Sequence, residues 1–416
     1  MTPIEQPSGF DSLGLSEAVS GVLHKAGFTV PTPIQEKGIP VGVTGADLIG
    51  IAQTGTGKTM AFALPIIDRL IANPQAKGLV IVPTRELALQ VEESVRKITN
   101  HLFQQQAPLR TVCLIGGVPI YRQMKDLQRS PRIIIATPGR LQDHLEQKSV
   151  DLSQVVTLVL DEADRMLDMG FAPQVKRILE VVPSNRQTML FSATMAPEIV
   201  QLSAAYMKNP TRIEVSTPGA SNAQITQEMC YVAQQGKSNL LLEILQEREG
   251  SVLVFTRTKH GASKLAKWLI DSGQSAAEIH SNRSLGQRRQ ALDGFKSGKY
   301  RVLVATDVAA RGIDVKDISL VVNYDLPDVP EDYVHRIGRT GRAGKTGIAL
   351  SFAAPDQYRD VKRIERLMNK PIPLSPRSVQ PTPDAYSAPR QHRQGGQSSW
   401  RSNNSRPQPR TFRSRF

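Results

Sequence analysis

Several short stretches of the chain hold residue types suited to handling a phosphoryl group. In residues 52–59, "AQTGTGKT", small residues surround one lysine and one threonine. Glycines at this spacing let backbone N–H groups turn toward phosphate oxygens, and the N-terminus of a following helix adds positive potential. Lys58 would then reach the terminal phosphates and Thr59 could ligate Mg²⁺. The stretch fits the pattern G-x-x-x-x-G-K-[ST] except that Ala52 stands at the first glycine. Such a cradle needs a partner acid at the end of another strand. In "VVTLVLDEAD", residues 155–164, an apolar run delivers Asp161 and Glu162 to the carboxyl edge of a sheet, where ligands gather in open α/β folds. Asp161 is the candidate for the magnesium shell, and Glu162 for orienting or deprotonating an attacking water. A glycine-rich turn can be a mere connection, and "DEAD" a solvated turn. The strand pattern before each, and the helical pattern "TMAFALPIIDRL" after the first, favour the chemical reading.

Other apolar runs of the first half end in the same manner. "LVIV" leads into "PTRELA", "TVCLI" into "GG", "RIIIA" into "TPGR" and "TMLF" into "SAT". Arg85, Gly116, Gly117, Thr137, Gly139 and Arg140 would line one sheet edge with guanidinium groups, a hydroxyl and close-approach backbone, which suits a sugar-phosphate strand held without base reading. The second half has no Gly-Lys-Thr loop; its polar turns read "TRTK" (256–259), "ATDVAARGID" (305–314) and "HRIGRTGRAG" (335–344). Arg336, Arg339 and Arg342 need an anion, either local carboxylates or, as arginine fingers, the γ-phosphate held by the first half. With catalytic groups divided in this way, hydrolysis is competent only when two domains close, so nucleotide binding and closure become one linked equilibrium.

The elements that must position these residues are legible as periodicity. Runs at 48–52, 79–82, 111–115, 132–136, 155–160 and 188–191, mostly separated by helix-length amphipathic segments, read as buried strands of a parallel sheet. A second series follows at 251–255, 275–280, 301–305, 319–324 and 347–352. The fold class is therefore α/β, with two doubly wound domains. The boundaries expected are 1–210 for the first domain, 211–224 for a linker, 225–370 for the second domain and 371–416 for a disordered tail.

Bulk composition narrows the partners. The formal net charge is +14, and residues 371–416 hold eight arginines, no lysine and one acid, a net +7. A basic surplus of this kind points to a polyanion. A bilayer is disfavoured, because no apolar run approaches the ~18 residues needed to span one and the N-terminal stretch lacks a signal-like pattern. With Cys113 and Cys230 alone, a disulfide framework or zinc cluster has too few ligands. A soluble, cytoplasmic, monomeric protein is expected.

Taken in combination, these motifs resemble the DEAD-box ATP-dependent RNA helicases, of the bacterial type with a basic tail, over roughly residues 8–370. The resemblance implies two tandem RecA-like domains with a cleft between them, ATP and Mg²⁺ as cofactors, and RNA as partner. The stretch "GFTVPTPIQ" (27–35) is similar to the family's adenine-recognising motif. It implies that Gln35 bonds the adenine edge, that Phe10 stacks on the base, and that Phe28 with Gln53, Thr54, Gly55, Thr56, Gly57, Lys58, Thr59 and Met60 completes the nucleotide pocket. Asp314 would contact the ribose, and Asp161 would meet Mg²⁺ through water. Arg339 and Arg342 would sense phosphate. Ser192 and Thr194 would couple Asp164 to His335 across the domains. Arg257, Thr306 and Gly312 would face RNA. One loop departs from the family pattern: "HSNRSL" (280–285) has Ser281, Asn282 and Leu285 where many relatives read Gly, Asp and Gln, while Arg288 is retained.

The resemblance further implies an ATPase that separates short duplexes locally, by bending one strand on closure, with largely sequence-independent grip on single-stranded and duplex RNA, ribosomal or messenger complexes included. RNA and ATP should strengthen each other's binding. Two other classes fit the same plan: an ATP-gated RNA clamp or assembly platform, and a DNA helicase. Recognition of RNA as such needs a group that sees the 2′-OH. In the tail, Tyr386, Trp400, Phe412 and Phe416 among the arginines allow backbone attraction and base stacking to combine into a non-specific tether.

Overall fold

The computed structural model describes residues 9–53, 55–102, 109–215, 225–310, 318–341 and 346–379. Apolar side chains on both faces of every central strand require cover on both sides, and the chain supplies it as helices packed on two all-parallel sheets.

The first sheet contains β1 (Leu48–Ile51), β2 (Lys77–Ile81), β3 (Thr111–Leu114), β4 (Ile133–Ala136), β5 (Val155–Leu160), β6 (Gln187–Ser192) and β7 (Thr211–Glu214). They lie in the order β3-β4-β2-β5-β6-β1-β7. Val80, Ile133, Ile135, Val159 and Met189 face one core layer, and their alternating neighbours Leu79, Ile81, Ile134, Leu158 and Leu190 face the other. The second sheet contains β8 (Ile225–Tyr231), β9 (Val252–Phe255), β10 (Ala276–Ile279), β11 (Val302–Ala305), β12 (Leu320–Asn323) and β13 (Gly347–Ala353), in the order β10-β11-β9-β12-β13-β8. Its strands alternate in the same way between two layers, Leu253, Leu303 and Val321 against Val252, Val302 and Leu320.

The two sheets repeat one plan, with β3, β4, β2, β5, β6 and β1 answered in place by β10, β11, β9, β12, β13 and β8. A side-chain device repeats as well. Arg132, immediately before β4, donates to the carbonyls of Leu70, Asn73 and Ala76, and Arg301, immediately before β11, donates to those of Leu245, Arg248 and Gly250. Each arginine ties the end of a helix to the loop below its sheet, satisfying carbonyls that a helix terminus leaves open.

Two expected boundaries are corrected. The sequence predicts a linker over 211–224, but 211–214 form β7, paired in parallel with β1. Only Ile213 in that strand is buried, so an edge strand with polar neighbours left no apolar run to read. The composition predicts a disordered tail over 371–416, but 371–379 are ordered against β8. Leu374 forms a parallel bridge with Met229, Met229 N–H donates to the Pro373 carbonyl, and Val379 N–H donates to the Tyr231 carbonyl. This segment stands where β7 stands in the first sheet and buries Ile372 to 6% exposure. Residues 216–224 and 380–416 lie outside the described residues. Among the described residues no helix is long and apolar enough to cross a membrane.

Truncation after residue 370 should remove the Ile372 contact and the edge pairing, destabilising the second domain by about 2 kcal/mol, or roughly 5 °C. Truncation after residue 379 should leave the melting temperature unchanged. Calorimetry of the two chains checks this.

Candidate nucleotide and nucleic-acid site

The phosphate cradle forms because β1 must turn sharply into the helix Lys58–Ala72. Gly55 and Gly57 take φ values of 87° and 94°, the left-handed region that glycine enters at least cost. A Cβ at Gly57 would lie 2.5 Å from Gln35 Nε2 and 2.7 Å from Thr32 Oγ1, so the loop is pressed against the start of the helix Pro33–Thr44. Gln35 secures that contact: its Nε2 donates to the Gly57 carbonyl at 3.0 Å and its Oε1 accepts from Thr32 N–H at 2.9 Å. The amide retains one donor hydrogen and one lone pair for another partner. Lys58 is 6% exposed and its Nζ donates to the Ala52 carbonyl at 2.8 Å, folding over the loop. Thr56 Oγ1 donates to the Gln53 carbonyl, Thr59 is half-buried, and Met60 is buried behind the loop. Thr54 lies outside the described residues.

The aromatic assignment is corrected by burial. Phe10 is 3% exposed and packs edge-to-face on Phe28, ring centroids 6.4 Å apart, so it has no face to offer a base. Phe28 is the half-buried ring with accessible surface, and Phe10 props it.

At the end of β5, Asp161, Glu162 and Asp164 are 3%, 2% and 6% exposed. Burial pushes the Asp161 carboxyl up to about 6, with Glu162 and Asp164 adding to the rise and Lys58 opposing it. Glu162 adopts φ 52°, ψ 50°, a left-handed conformation that costs a non-glycine residue ~1–2 kcal/mol. The turn directs its side chain inward. One oxygen, Oε2, accepts from Arg165 Nη1 at 2.9 Å, while Oε1 is buried with no hydrogen-bond partner among the described residues. A buried carboxylate oxygen without a donor marks a place where a donor is to be received. Among the described residues no group of three or more His, Cys, Asp or Glu side chains is arranged to cage a metal. Asp161 with the Thr59 hydroxyl fits magnesium instead, which keeps several waters and shares itself with substrate phosphates.

Asp164 is held by the segment after β6. Its Oδ2 accepts from Ala193 N–H, Thr194 N–H and Thr194 Oγ1, at 3.0, 3.0 and 3.3 Å, and Ser192 Oγ accepts from Thr194 N–H. His335, from the helix Pro330–Ile337 of the second domain, faces this knot. Burial holds its pKa down to about 4, with Arg165 and Arg339 lowering it further and Asp164 pulling it back up. The structure thus brings Asp164, Ser192, Thr194, His335 and Arg339 together across the two sheets. Arg339 is buried at 4% exposure. Arg336 is not a finger: fully buried, it makes a two-pronged pair with Asp307 and lies 5.0 Å from the Phe255 ring centroid, so the local-carboxylate reading holds for it. Gly312, Asp314 and Arg342 lie outside the described residues.

The remaining edge residues split into two groups. In the first domain the Arg85 guanidinium lies against Gly116 and Gly117, where a Cβ on Gly117 would come within 2.4 Å of Nη1. Arg140 donates to the Val118 carbonyl at 2.7 Å, Thr137 N–H to that of Leu114, and a Cβ on Gly139 would meet nothing within 4 Å. In the second domain Arg257 pairs with Asp328 at 3.4 Å and remains 45% exposed, while Thr306 closes β11 beside it in the sheet.

The sequence reading missed Arg165 and the full role of the helix Leu285–Lys296. Arg288 of that helix meets Glu86 of the first domain, Nη2 to Oε2 at 2.8 Å, with both side chains buried. Burial raises the Glu86 pKa and Arg288 partly offsets it. One turn earlier, Leu285 packs against the core of the first domain. Glu86 adjoins Arg85 in "PTRELA", the one signal that could have singled it out.

Removing one partner of a buried ion pair leaves the other uncompensated, at a cost of ~3–5 kcal/mol. Arg288→Ala should therefore open the cleft, read as reduced energy transfer between dyes on the two domains, by at least about tenfold in the closed-to-open ratio. Protonation of His335 should also oppose closure. Its pKa in the closed form is below the ordinary 6.5, so its contribution is fully present above pH 6.5 and lost as pH falls toward 4. Closure of His335→Asn should lose that part of the pH dependence.

Residues 32–202 match the DEAD/DEAH box helicase family and residues 236–344 the helicase conserved C-terminal domain. The chain is 41% identical over 366 residues to the DEAD-box ATP-dependent RNA helicase RhpA of Helicobacter pylori, covering 88% of this chain and 73% of that protein. It is 40% identical over 370 residues to the ATP-dependent RNA helicase CshA of Limosilactobacillus reuteri, with the same coverage. Among solved structures, Mss116p bound to single-stranded RNA and AMP-PNP superposes with a TM-score of 0.80 at 30% identity, covering 91% of this chain and 81% of that one. A DEAD box protein from Methanococcus jannaschii, 38% identical and covering 88% of this chain and 99% of that one, superposes at only 0.51. The two tandem parallel-sheet domains, the paired acids after β5 and the relatives that match across both domains lead to one conclusion: this chain belongs to the DEAD-box ATP-dependent RNA helicases, enzymes that hydrolyse ATP.

Proposed function

We propose that the chain is an RNA-dependent ATPase that separates short duplexes locally and without processive travel. The observation that supports this most is the division of charged groups at the cleft: the orphan Glu162 oxygen and the Asp164 knot come from one domain, His335 and Arg339 from the other. Glu162 accepts a proton from the attacking water, and Arg165 keeps that carboxylate oriented. Lys58 exchanges the Ala52 carbonyl for phosphate oxygens, and Arg339, with Arg342, answers the charge that develops on the transferred group. Mg²⁺, when bound by Thr59 and, through water, by Asp161, supplies further neutralisation of that charge. Closure assembles these groups only when both lobes are engaged, so RNA and ATP bind with positive coupling.

The RNA path runs over Arg85, Gly116, Gly117, Thr137, Gly139 and Arg140 on the first domain and Arg257, Thr306 and Gly312 on the second. The contacts address backbone and sugar, which makes the grip sequence-independent. The protein acts as a monomer in the cytoplasm, on single-stranded and duplex RNA, with ribosomal and messenger RNA complexes as candidate targets. The buried Glu86–Arg288 pair and the Leu285 contact support a second reading, an ATP-gated RNA clamp whose closed complex persists. Strand separation of a short duplex compared with dwell time on single-stranded RNA tells the two apart, and comparison of RNA with DNA as stimulant tests the polymer.

Lys58→Ala and Glu162→Gln should each lower RNA-stimulated ATP hydrolysis by about 10³-fold or more, and Arg339→Ala should keep nucleotide binding while losing hydrolysis, by a factor of about 10³ or more. Steady-state phosphate release and equilibrium binding of a fluorescent ATP analogue check both. Deleting residues 380–416, which spares the ordered 371–379 segment, should raise the RNA concentration for half-maximal ATPase and leave the saturated rate nearly unchanged. An unaltered RNA dependence would retire the tether.

A further inference from the structure

The repeated sheet plan puts a second glycine-lysine-hydroxyl triplet at the equivalent place in the second domain. The helix Lys237–Glu247, which follows β8, opens on Gly236-Lys237-Ser238, as the helix Lys58–Ala72, which follows β1, opens on Gly57-Lys58-Thr59. Asp325 follows β12 as Asp161 follows β5. Each donates its backbone N–H to the last carbonyl of the neighbouring strand, Asp161 to Ile81 and Asp325 to Phe255.

Two differences separate the copies. The turn 232–236 is one residue shorter than 52–57, and Gly236 has φ −85°, so its backbone does not make the left-handed turns of Gly55 and Gly57. Lys237 is 1% exposed, and its Nζ donates to the Tyr324 carbonyl at 2.8 Å and to Asp325 Oδ1 at 3.2 Å. Ser238 Oγ is bonded to the Tyr324 hydroxyl at 2.9 Å. Groups that would face a phosphate in the first domain are taken up by the protein itself in the second.

Asp325 is the centre of this closed copy. Its Oδ2 accepts from Arg257 N–H at 3.1 Å, and its carbonyl accepts from Arg336 Nη1 at 2.6 Å. Arg336 neighbours His335 on the helix at the domain cleft, and its guanidinium also grips Asp307, next to Thr306. With Lys237 fixing Oδ1, Oδ2 has one orientation in which to hold the Thr256–Arg257 turn. Burial lowers the Lys237 pKa while Asp325 pulls it back, as befits a pair that carries each other's charge.

We infer that Lys237 and Asp325 are positioning residues for the nucleic-acid grip of the second domain: a phosphate-cradle framework closed on its own carboxylate, which sets the Arg257 turn and ties it through Arg336 to the helix bearing His335. The inference rests on the RNA-dependent reading above.

The test uses the full chain with Lys237→Met, Lys237→Arg, Asp325→Asn and Arg257→Ala. For each, the RNA KM and saturated kcat of ATP hydrolysis, the affinity and stoichiometry of a fluorescent ATP analogue without RNA, and the melting temperature are measured. Lys237→Met should raise the RNA KM by about tenfold or more, the loss expected of a charge-assisted contact, while kcat and nucleotide affinity hold. Lys237→Arg should restore most of the KM, and Lys237→Met combined with Arg257→Ala should be no worse than the poorer single change. If Lys237→Met does not fold, the isosteric Asp325→Asn is read in its place, with the same KM-specific loss expected. A lowered melting temperature with unchanged RNA KM overturns the inference, as does a uniform loss in kcat and nucleotide affinity. Two nucleotides per wild-type chain, one of them lost in Lys237→Met, would overturn it in favour of a second nucleotide site. RNA stimulation in the wild-type chain with variants indistinguishable from it refutes the positioning role alone, whereas no stimulation in the wild type refutes the functional reading and this inference with it.

Discussion

Three carboxylates buried within the span 161–164 at the end of β5 are the constraint to which the rest of the cleft answers. Charge at that density is tolerated only beside cations and directed N–H groups, because the interior cannot solvate it. Lys58 comes from the cradle helix, Arg165 from the following turn, and two backbone amides with the Thr194 hydroxyl hold Asp164. What remains is answered across the cleft by the helix carrying His335, with Arg339 just beyond it. The electrostatic balance of one domain is therefore completed by the other. Opening the cleft changes the charge environment of the acids that handle water and phosphate.

The seam adds a second dependence of the same sign. Glu86 and Arg288 are each poor candidates for burial alone, and their contact is worth having only while the domains are closed. Leu285 adds an apolar contact to the first-domain core one turn away. An apolar side chain exposed on opening and covered on closing favours the closed state without requiring directional bonds. The contacts of Leu285 and Arg288 thus lie at the meeting of the domains, apart from the acid cluster.

The two sheets show one framework used in two ways. In the first, left-handed glycines at 55 and 57 keep the cradle open, and Lys58 donates to a carbonyl that a phosphate can replace. In the second, the shorter turn brings Lys237 onto Asp325, and the carboxyl edge is committed to setting Arg257 and Arg336. One residue of turn length and the handedness of a glycine separate a ligand site from an internal brace.

Much of this was legible in the chain itself. Central strands buried on both faces must be apolar throughout, so β1, β2, β4, β5 and β6, and β9, β11, β12 and β13 in the second domain, stood out as runs, and the motifs at their ends named the phosphate chemistry; β8, which begins with the polar run Thr226, Gln227 and Glu228, did not. The edge strand β7 and the ordered 371–379 segment did not stand out, because an edge needs only one buried side chain, Ile213 or Ile372, and its neighbours are polar or proline. Phe10 and Phe28 are equal candidates in one dimension; burial alone decides which ring is accessible. Arg336 and Arg339 sit three residues apart in one motif, yet the first is spent on Asp307, a partner 29 positions away. Residue type and local spacing determine what chemistry a side chain can perform. Which partner it meets depends on contacts made far along the chain, and those are settled only when the sheets pack and the cleft closes.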